Sequence, residues 1–326
     1  MRIGLVLGAG GITGGAFHAG VLTALAEEVG WDARRAEVIV GTSAGSMTGA
    51  VLRAGLPSSD LAARAEGRPL SAEGRRVASG LGGPPGGFPL RSTRRVPSAV
   101  RGAGGTAALR RMAMRPWDVR PTAVLAALLP AGAVPTSMIT DGLDPLFGRR
   151  WPAEAFWVCA VRLVDGRRVV FGREGAPEAT VGDAVAASCA IPSYFEPVVI
   201  DGERYVDGGV HSLTNLDLAG GLGLDLVVVS SPMSQAGRTT PRATADWALR
   251  RYCRAQLDRE AIGVRRRGTP VLAFQPTADD AALMGINAMD PSKRAAVSAA
   301  VRVSAGRRLR RADVADRVEI LAGAAS

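Results

Sequence analysis

The sequence has few of the residues on which metal binding and acid–base chemistry most often depend. Its 326 residues include only two histidines, His18 and His211, and three cysteines. Cys159, Cys189 and Cys253 are too few and too irregularly spaced for a disulfide framework or a metal knuckle. Two histidines also exclude a histidine-rich metal centre. Nucleophilic catalysis would have to use one of these two imidazoles as its base, or proceed without histidine.

Long apolar runs are missing as well. Ile3–Leu7 is too short for the apolar core of a signal peptide and leads directly into a glycine loop. The nearest candidate for a membrane span, 123–134, is interrupted by Pro130 and falls short of the roughly 18 residues required. We therefore expect the mature chain to begin at Met1 in a reducing, cytoplasmic compartment.

Positive charge comes almost entirely from arginine and is concentrated in one stretch. The chain has 40 Lys+Arg against 30 Asp+Glu, a net charge of +10. Residues 67–120 carry eleven arginines against Glu73 and Asp118, a net charge of +9. Glycine and proline make up 15 of the 39 residues in 67–105, above the roughly 25–30% that is typical of disordered segments. We expect a near-neutral globular body that carries a flexible basic insertion over 67–137.

Two interpretations of this insertion stay open. It is either a solvated linker, or a lid or membrane-docking element over an anionic bilayer, where each arginine contributes on the order of 1 kcal/mol. The second interpretation adds peripheral membrane association to the expected cytoplasmic location. Nucleic acid is disfavoured as a partner, because Phe88 and Trp117 are the only aromatic residues of the basic stretch and provide no base-stacking platform.

The rest of the chain alternates short apolar runs with helical patterns, which is typical of an α/β sheet covered by helices. A hydrophobic content of 47% suffices for a sizeable core. The predicted strands are 2–7, 38–40, 156–163, 168–171, 198–200, 204–206, 224–229 and 271–274. The predicted helices are 15–28, 44–53, 181–188, 241–264 and 291–312, and the stretches 107–114 and 122–129 are helix-prone. We expect a single domain over 1–326, with a mainly helical C-terminal part over 235–326.

The most informative motif is Gly-x-Ser-x-Gly, formed by Gly41, Ser43 and Gly45 between the predicted strand 38–40 and the predicted helix 44–53. A turn this tight leaves no room for Cβ atoms at the two glycines. It exposes the Ser43 hydroxyl at the carboxyl end of a strand, near a helix N-terminus that favours developing negative charge. The pentapeptide alone also occurs in ordinary glycine-rich connections, but in this context it predicts that Ser43 is a nucleophile.

A second glycine-rich stretch, 8–15, lies between the first predicted strand and helix. It could hold a pyrophosphate, but Thr13 stands where the third glycine of Gly-x-Gly-x-x-Gly belongs. It also lacks the Gly-Lys-Ser/Thr of a P-loop. Its backbone N–H groups could instead form an oxyanion hole, and the presence of Ser43 favours this use.

A third motif, Asp207-Gly208-Gly209, follows the predicted strand 204–206. Asp-Gly-Gly alone usually marks only a turn, but a carboxylate at a strand end can reach a neighbouring loop and act there as a base. A Ser–His–Asp triad with His211 stays an alternative, although only four positions separate Asp207 from His211. His18 is expected to be structural or to form a wall of the site.

Together these motifs resemble the patatin-like phospholipases in order and spacing. The resemblance extends to Gly20-Val21-Leu22, to 187–197 and to 215–219, and it covers roughly 1–56 and 155–232. It implies a three-layer α/β/α fold with a central, mostly parallel sheet. It also implies a hydrolase of carboxylic esters, of the phospholipase A or lysophospholipase type, that acts on acyl-ester lipids without a metal or an organic cofactor.

Transferred by position, the resemblance implies that Ser43 is the nucleophile of a Ser–Asp dyad and that Asp207 is its base. The backbone N–H groups of Gly10, Gly11 and Ile12 would form the oxyanion hole. The family's loop usually has a third glycine and then a basic residue. Ile12 and Gly14 occupy those positions in this chain.

Two other functions stay open. One is a catalytically weak adaptor on the same fold that binds a membrane or a partner, because the glycine loop departs from the family pattern. The other is a dinucleotide-binding oxidoreductase. That function leaves Ser43 and Asp207 unexplained and has only the ambiguous Asp32 as a ribose-binding acid.

Overall fold

The computed structural model of the chain describes residues 1–82, 132, 134–237 and 245–325. The strands are β1 (Ile3–Leu7), β2 (Val38–Thr42), β3 (Ala155–Arg162), β4 (Arg168–Phe171), β5 (Val198–Ile200), β6 (Glu203–Asp207), β7 (Leu226–Ser230) and β8 (Val271–Phe274). The helices are α1 (Gly11–Val29), α2 (Ala44–Arg53), α3 (Ser58–Glu66), α4 (Ala72–Ser79), α5 (Ser137–Phe147), α6 (Val181–Cys189), α7 (Ala245–Arg266), α8 (Ala278–Met284), α9 (Arg294–Leu309) and α10 (Ala315–Gly323).

The chain divides into two compact units, Met1–Ala78 with Leu213–Ser326 and Ser79–Ser212. In the first unit, four strands form a parallel sheet in the order β2, β1, β7, β8. All residues of β1, β2 and β7 are buried. This is expected of parallel strands that helices cover on both faces, and it explains their continuous apolar sequences.

Helix α1 packs in the first unit through its apolar residues Phe17, Leu22 and Leu25, which are fully buried. It approaches α9 so closely at Gly20 that a Cβ atom there would lie 2.7 Å from the Ser298 carbonyl oxygen. Gly30, in the left-handed conformation, ends the helix and donates its N–H to the Ala26 carbonyl.

The second unit contains two hairpins. β3 and β4 pair antiparallel around Gly166, and β5 and β6 pair antiparallel around Asp201-Gly202. Asp201 and Gly202 both have positive φ, 49° and 75°, as a two-residue hairpin loop requires. β6 also pairs with β3, which places Asp207 opposite Ala160. These hairpins contain four of the predicted strands, 156–163 with 168–171 and 198–200 with 204–206.

Most predicted elements agree with the structure to within a few residues, and the largest differences have local causes. α1 begins at Gly11 rather than at residue 15, because the helix starts inside the glycine loop. The predicted helix 291–312 consists of α9 between two short 3₁₀ helices, Pro291–Lys293 and Ala312–Val314. Of the helix predicted over 241–264, residues 241–244 lie outside the described residues.

Most of the predicted basic insertion lies outside the part of the chain that the structure describes. This concerns residues 83–131 and 133, including the helix-prone stretches 107–114 and 122–129. The first part of the insertion, which the structure does describe, contains α4. None of the described helices combines the length and apolar character that crossing a bilayer requires.

Candidate active site

Ser43 lies in a strained turn between β2 and α2. Its backbone has φ 53° and ψ −121°, a region that few residues other than glycine adopt and that costs on the order of 1–3 kcal/mol. Its carbonyl oxygen holds the turn by accepting hydrogen bonds from the N–H and hydroxyl of Ser46, at 2.8 and 2.7 Å, and from the Met47 N–H at 3.2 Å. This is the sharp strand–turn–helix geometry that the Gly-x-Ser-x-Gly motif predicts.

The two glycines of the motif are required by close packing. A Cβ atom at Gly45 would overlap the carbonyl oxygen of Leu7, and one at Gly41 would lie 2.5 Å from the Ser46 Cα. Leu7 lies opposite Gly41 in the parallel pairing of β1 with β2. The turn at Ser43 and the glycine loop after β1 therefore leave the same edge of the sheet, side by side.

The glycine loop leads directly into the N-terminus of α1. Gly11 has φ +59°, the Gly14 N–H donates to the Gly10 carbonyl at 2.8 Å, and the Thr13 N–H donates to the Ala288 carbonyl at 3.0 Å. The first N–H groups of a helix lack acceptors within it and lie at the positive end of its dipole. Gly10, Gly11 and Ile12 lie at this end of α1, at the edge of the sheet where Ser43 lies, and their role as oxyanion donors stays a prediction.

Segment 285–290, which precedes α9, packs against this loop. A Cβ atom at Gly11 would lie 2.8 Å from the Ala288 carbonyl oxygen and 2.9 Å from the Met289 sulfur. Pro232 packs against Gly10 in the same way, 2.9 Å from where a Cβ would be. These contacts could not be predicted from the sequence, because nothing in the local pattern of either segment indicates the other.

His18 lies beneath the glycine loop and is fully buried. Its Nε2 lies 2.8 Å from the Gly8 carbonyl oxygen and therefore carries the proton and donates it. Its Nδ1 then accepts from the Ser230 hydroxyl, at 2.7 Å. Burial lowers the pKa of His18 from 6.5 to about 4, although the bond to Gly8 opposes this change. These contacts are structural, in agreement with the expectation for His18.

Asp207 lies at the end of β6 in the second unit, with 5% of its surface exposed. Its Oδ1 accepts a hydrogen bond from the Gly209 N–H at 2.7 Å, and its own N–H donates to the Ala190 carbonyl at 3.0 Å. A Cβ atom at Gly208 would overlap the Cys159 carbonyl oxygen. The Asp-Gly-Gly sequence thus holds one carboxylate oxygen in a fixed place at the end of a strand.

The predicted site residues divide between the two units. Ser43 and the glycine loop belong to the first unit. Asp207 and His211 belong to the second, at the two ends of the 3₁₀ helix Gly208–Val210. The structure brings the nucleophile candidate together with the loop, whereas the pairing of Ser43 with Asp207 stays a prediction.

Asp32, the candidate ribose-binding acid, already has a cationic partner. Arg34 donates to its carboxylate through Nε and Nη2, at 2.9 and 2.6 Å. Burial disfavours the charged form of Asp32, but the hydrogen bonds from Arg34 outweigh this and lower its pKa. A carboxylate bound in this way is a poor acceptor for a sugar hydroxyl.

The surroundings of the three cysteines also do not favour a catalytic role. All three are buried, and burial raises the pKa of Cys253 to about 12, far from that of a thiolate nucleophile. In the described part of the chain, no three His, Cys, Asp or Glu side chains lie where they could hold a metal ion.

The sequence model of the patatin family, described as patatin-like phospholipase, matches residues 5–219. A crystal structure of the type III effector protein ExoU is similar to this chain, with a TM-score of 0.34 and 19% identity, over 94% of this chain and 52% of that one. The chain therefore spans about half the length of that structure. No curated protein matches the chain. The matched segment contains the Ser43, glycine-loop and Asp207 motifs.

Proposed function

The chain belongs to the patatin-like phospholipase family, and from that premise we propose that it is a serine acyl hydrolase that cleaves carboxylic esters of lipids. Family membership confirms the predicted α/β/α fold with its mostly parallel central sheet. The observation that carries the proposal is the conformation of Ser43, a buried serine with φ 53° beside a loop of backbone donors. Strain of this kind persists only where the surrounding structure enforces it.

In the proposed first step, Ser43 Oγ attacks the carbonyl carbon of the ester while the Asp207 carboxylate takes the hydroxyl proton. The tetrahedral oxyanion is stabilised by backbone N–H groups of the glycine loop, each worth roughly 2.7–4 kcal/mol of barrier in comparable sites. The bond to the leaving alcohol then breaks, the alcohol receives the proton from Asp207, and an acyl-enzyme remains.

In the second step, Asp207 takes a proton from water, and the resulting hydroxide attacks the acyl-enzyme. Ser43 leaves with that proton and the fatty acid is released. The backbone N–H donors of the loop are independent of the side chain at Ile12, whereas Gly14 supplies none of the positive charge that a basic residue at this position would add to the oxyanion's surroundings.

Turnover of a p-nitrophenyl ester tests this proposal. We expect Ser43→Ala and Asp207→Asn to lower kcat by about 10³-fold or more, while both variants keep the melting temperature of the wild type. His211→Ala is the matched control and should leave turnover largely intact. Loss of activity in a folded His211→Ala variant would instead support the Ser–His–Asp triad. A folded but inactive wild type would favour the adaptor function.

The substrate class and the membrane partner complete the proposal. We propose phospholipid or lysophospholipid as substrate, to be tested by lipid profiling with wild type against Ser43→Ala.

The eleven arginines of 67–120 would bring the protein to anionic surfaces, so co-sedimentation should require anionic vesicles and should weaken with salt. Equal binding to neutral vesicles would contradict this electrostatic role. A cytoplasmic location stays a prediction.

A further inference from the structure

A chain of hydrogen bonds runs from helix α7 to the strand end that precedes Ser43. Glu260, on α7, accepts through Oε2 from the Thr214 hydroxyl at 2.8 Å and from the Leu216 N–H at 2.9 Å. Between these two residues, Asn215 donates through Nδ2 to the hydroxyl oxygen of Thr42 at 3.0 Å. Thr42 is the last residue of β2, so the chain of bonds ends at the residue bonded to the nucleophile candidate.

The same segment also holds the glycine loop. The Leu213 carbonyl accepts a hydrogen bond from the Ala9 N–H at 2.8 Å. A Cβ atom at Gly8 would lie only 3.0 Å from that carbonyl oxygen. Residues 213–216, the bridging segment, therefore bond to both neighbours of the proposed reaction centre, the glycine loop and the end of β2.

Burial makes these bonds effective constraints. Thr42 and Asn215 have no exposed surface, and Thr214 is 3% exposed. Breaking a buried hydrogen bond leaves a desolvated polar atom, so its partners have a strong preference for one arrangement. Asn215 has φ 52°, a left-handed conformation that asparagine tolerates better than most residues. The carboxylate of Glu260 strengthens the two bonds that it accepts.

We propose that Glu260 and Asn215 are positioning residues, which hold the bridging segment so that the Ser43 turn and the glycine loop keep one relative geometry. The catalytic consequence rests on the proposed function. Misplacement of reacting groups by about 1 Å can cost on the order of 10²-fold in rate. Glu260 follows the family-matched segment 5–219, so this support comes from a helix outside it.

Two pairs of variants separate positioning from mere stability. Glu260→Ala removes the carboxylate oxygen that accepts both hydrogen bonds, whereas Glu260→Gln keeps an amide oxygen that can accept in the same place. Thr42→Val removes the hydroxyl without changing the shape of the side chain, whereas Thr42→Ser keeps it. Each disruptive change therefore has a conservative partner at the same position.

The first measurement is kcat and KM for a p-nitrophenyl ester, with the melting temperature recorded for each variant. Glu260→Ala and Thr42→Val should lower kcat by roughly 10- to 100-fold with little change in KM, while Glu260→Gln and Thr42→Ser stay near wild type. In the double variant Glu260→Ala/Thr42→Val, the fold-loss of kcat should be smaller than the product of the two single fold-losses, because both changes act on one hydrogen-bond network. Wild-type kcat in folded Glu260→Ala and Thr42→Val, or independent losses in the double variant, would overturn the proposal.

The second measurement does not depend on hydrolysis. Amide hydrogen exchange should become faster at both 5–12 and 38–46 in Glu260→Ala and remain as in wild type in Glu260→Gln. Unchanged exchange at those two segments would refute the bridge. If the wild type hydrolyses no ester, the proposed function fails, and the exchange pattern alone decides the positioning role.

Discussion

At the scale of single residues, His18 shows how burial sets a charge state. The side chain has no contact with solvent, and its two ring nitrogens serve the Gly8 carbonyl and the Ser230 hydroxyl. Charging the ring would place a cation in a desolvated site and would turn Nδ1 from an acceptor into a donor. The neutral form, with its pKa lowered to about 4, is therefore part of the folded state.

This lowered pKa predicts a specific loss of stability in acid. Between pH 6.5 and pH 4 the unfolded chain binds a proton at His18 that the folded chain does not, so the free energy of unfolding should fall by up to about 3 kcal/mol from this group. Above pH 6.5 the contribution is constant. Urea unfolding at several pH values, in wild type and in His18→Gln, measures it. Gln has an N–H donor and an oxygen acceptor but does not titrate, so the same pH dependence in both proteins would contradict the assignment.

At the scale of elements, the strand–turn–helix unit around Ser43 follows from local sequence. Gly45 contacts the Leu7 carbonyl directly and Gly41 lies against Ser46, so the spacing of the glycines predicts both the turn and its packing. The hairpin at Asp201-Gly202 also follows from local sequence. Both loop positions have positive φ, which Asp and Gly tolerate better than most residues.

The supports of the site are not local and could not be predicted in this way. Glu260 lies in the predicted helix 241–264 among several other charged residues. Nothing nearby in sequence indicates its hydrogen bonds to Thr214 and Leu216. The Ala288 carbonyl, which accepts from the Thr13 N–H, has no side-chain signature at all. Such contacts depend on the tertiary arrangement of segments that are distant in the chain.

Two glycines of the same region should respond oppositely to alanine. Gly45→Ala forces a Cβ into the Leu7 carbonyl, and we expect it to cost about 3 kcal/mol or more and to abolish ester turnover. Gly15→Ala places a methyl group where no described atom outside the adjoining residues and the nearby backbone of α1 lies within 4 Å. Because Gly15 is inside α1, the change should stabilise by about 0.5–1 kcal/mol. Denaturant unfolding and ester assays measure both, and a stable, active Gly45→Ala protein would disprove the packing argument.

At the scale of the whole molecule, the family-matched segment is not a complete sheet. β1 pairs with β2 on one side and with β7 on the other, and β7 begins at Leu226, after the matched residues 5–219. α9, which packs against α1 at Gly20, also lies beyond that segment. The part that carries the motifs therefore depends on the part that follows it.

This dependence predicts that residues 1–219 do not fold alone. Without β7 one edge of β1 has unpaired N–H and C=O groups, and the apolar surface of α1 that contacts α9 is exposed. Circular dichroism should show no cooperative thermal transition for 1–219, whereas the full chain should show one. A cooperative transition together with ester turnover by 1–219 would rule out the dependence.

The central claim is that Ser43 is the nucleophile and Asp207 its base. Mass spectrometry after incubation with a fluorophosphonate measures this most directly, because the probe forms a covalent bond only with an activated serine. We predict a single adduct that maps to Ser43 in the wild type, none in Ser43→Ala, and strongly slowed labelling in Asp207→Asn. An unlabelled wild type, equal labelling of Ser43→Ala, or full-rate labelling of Asp207→Asn would contradict the account.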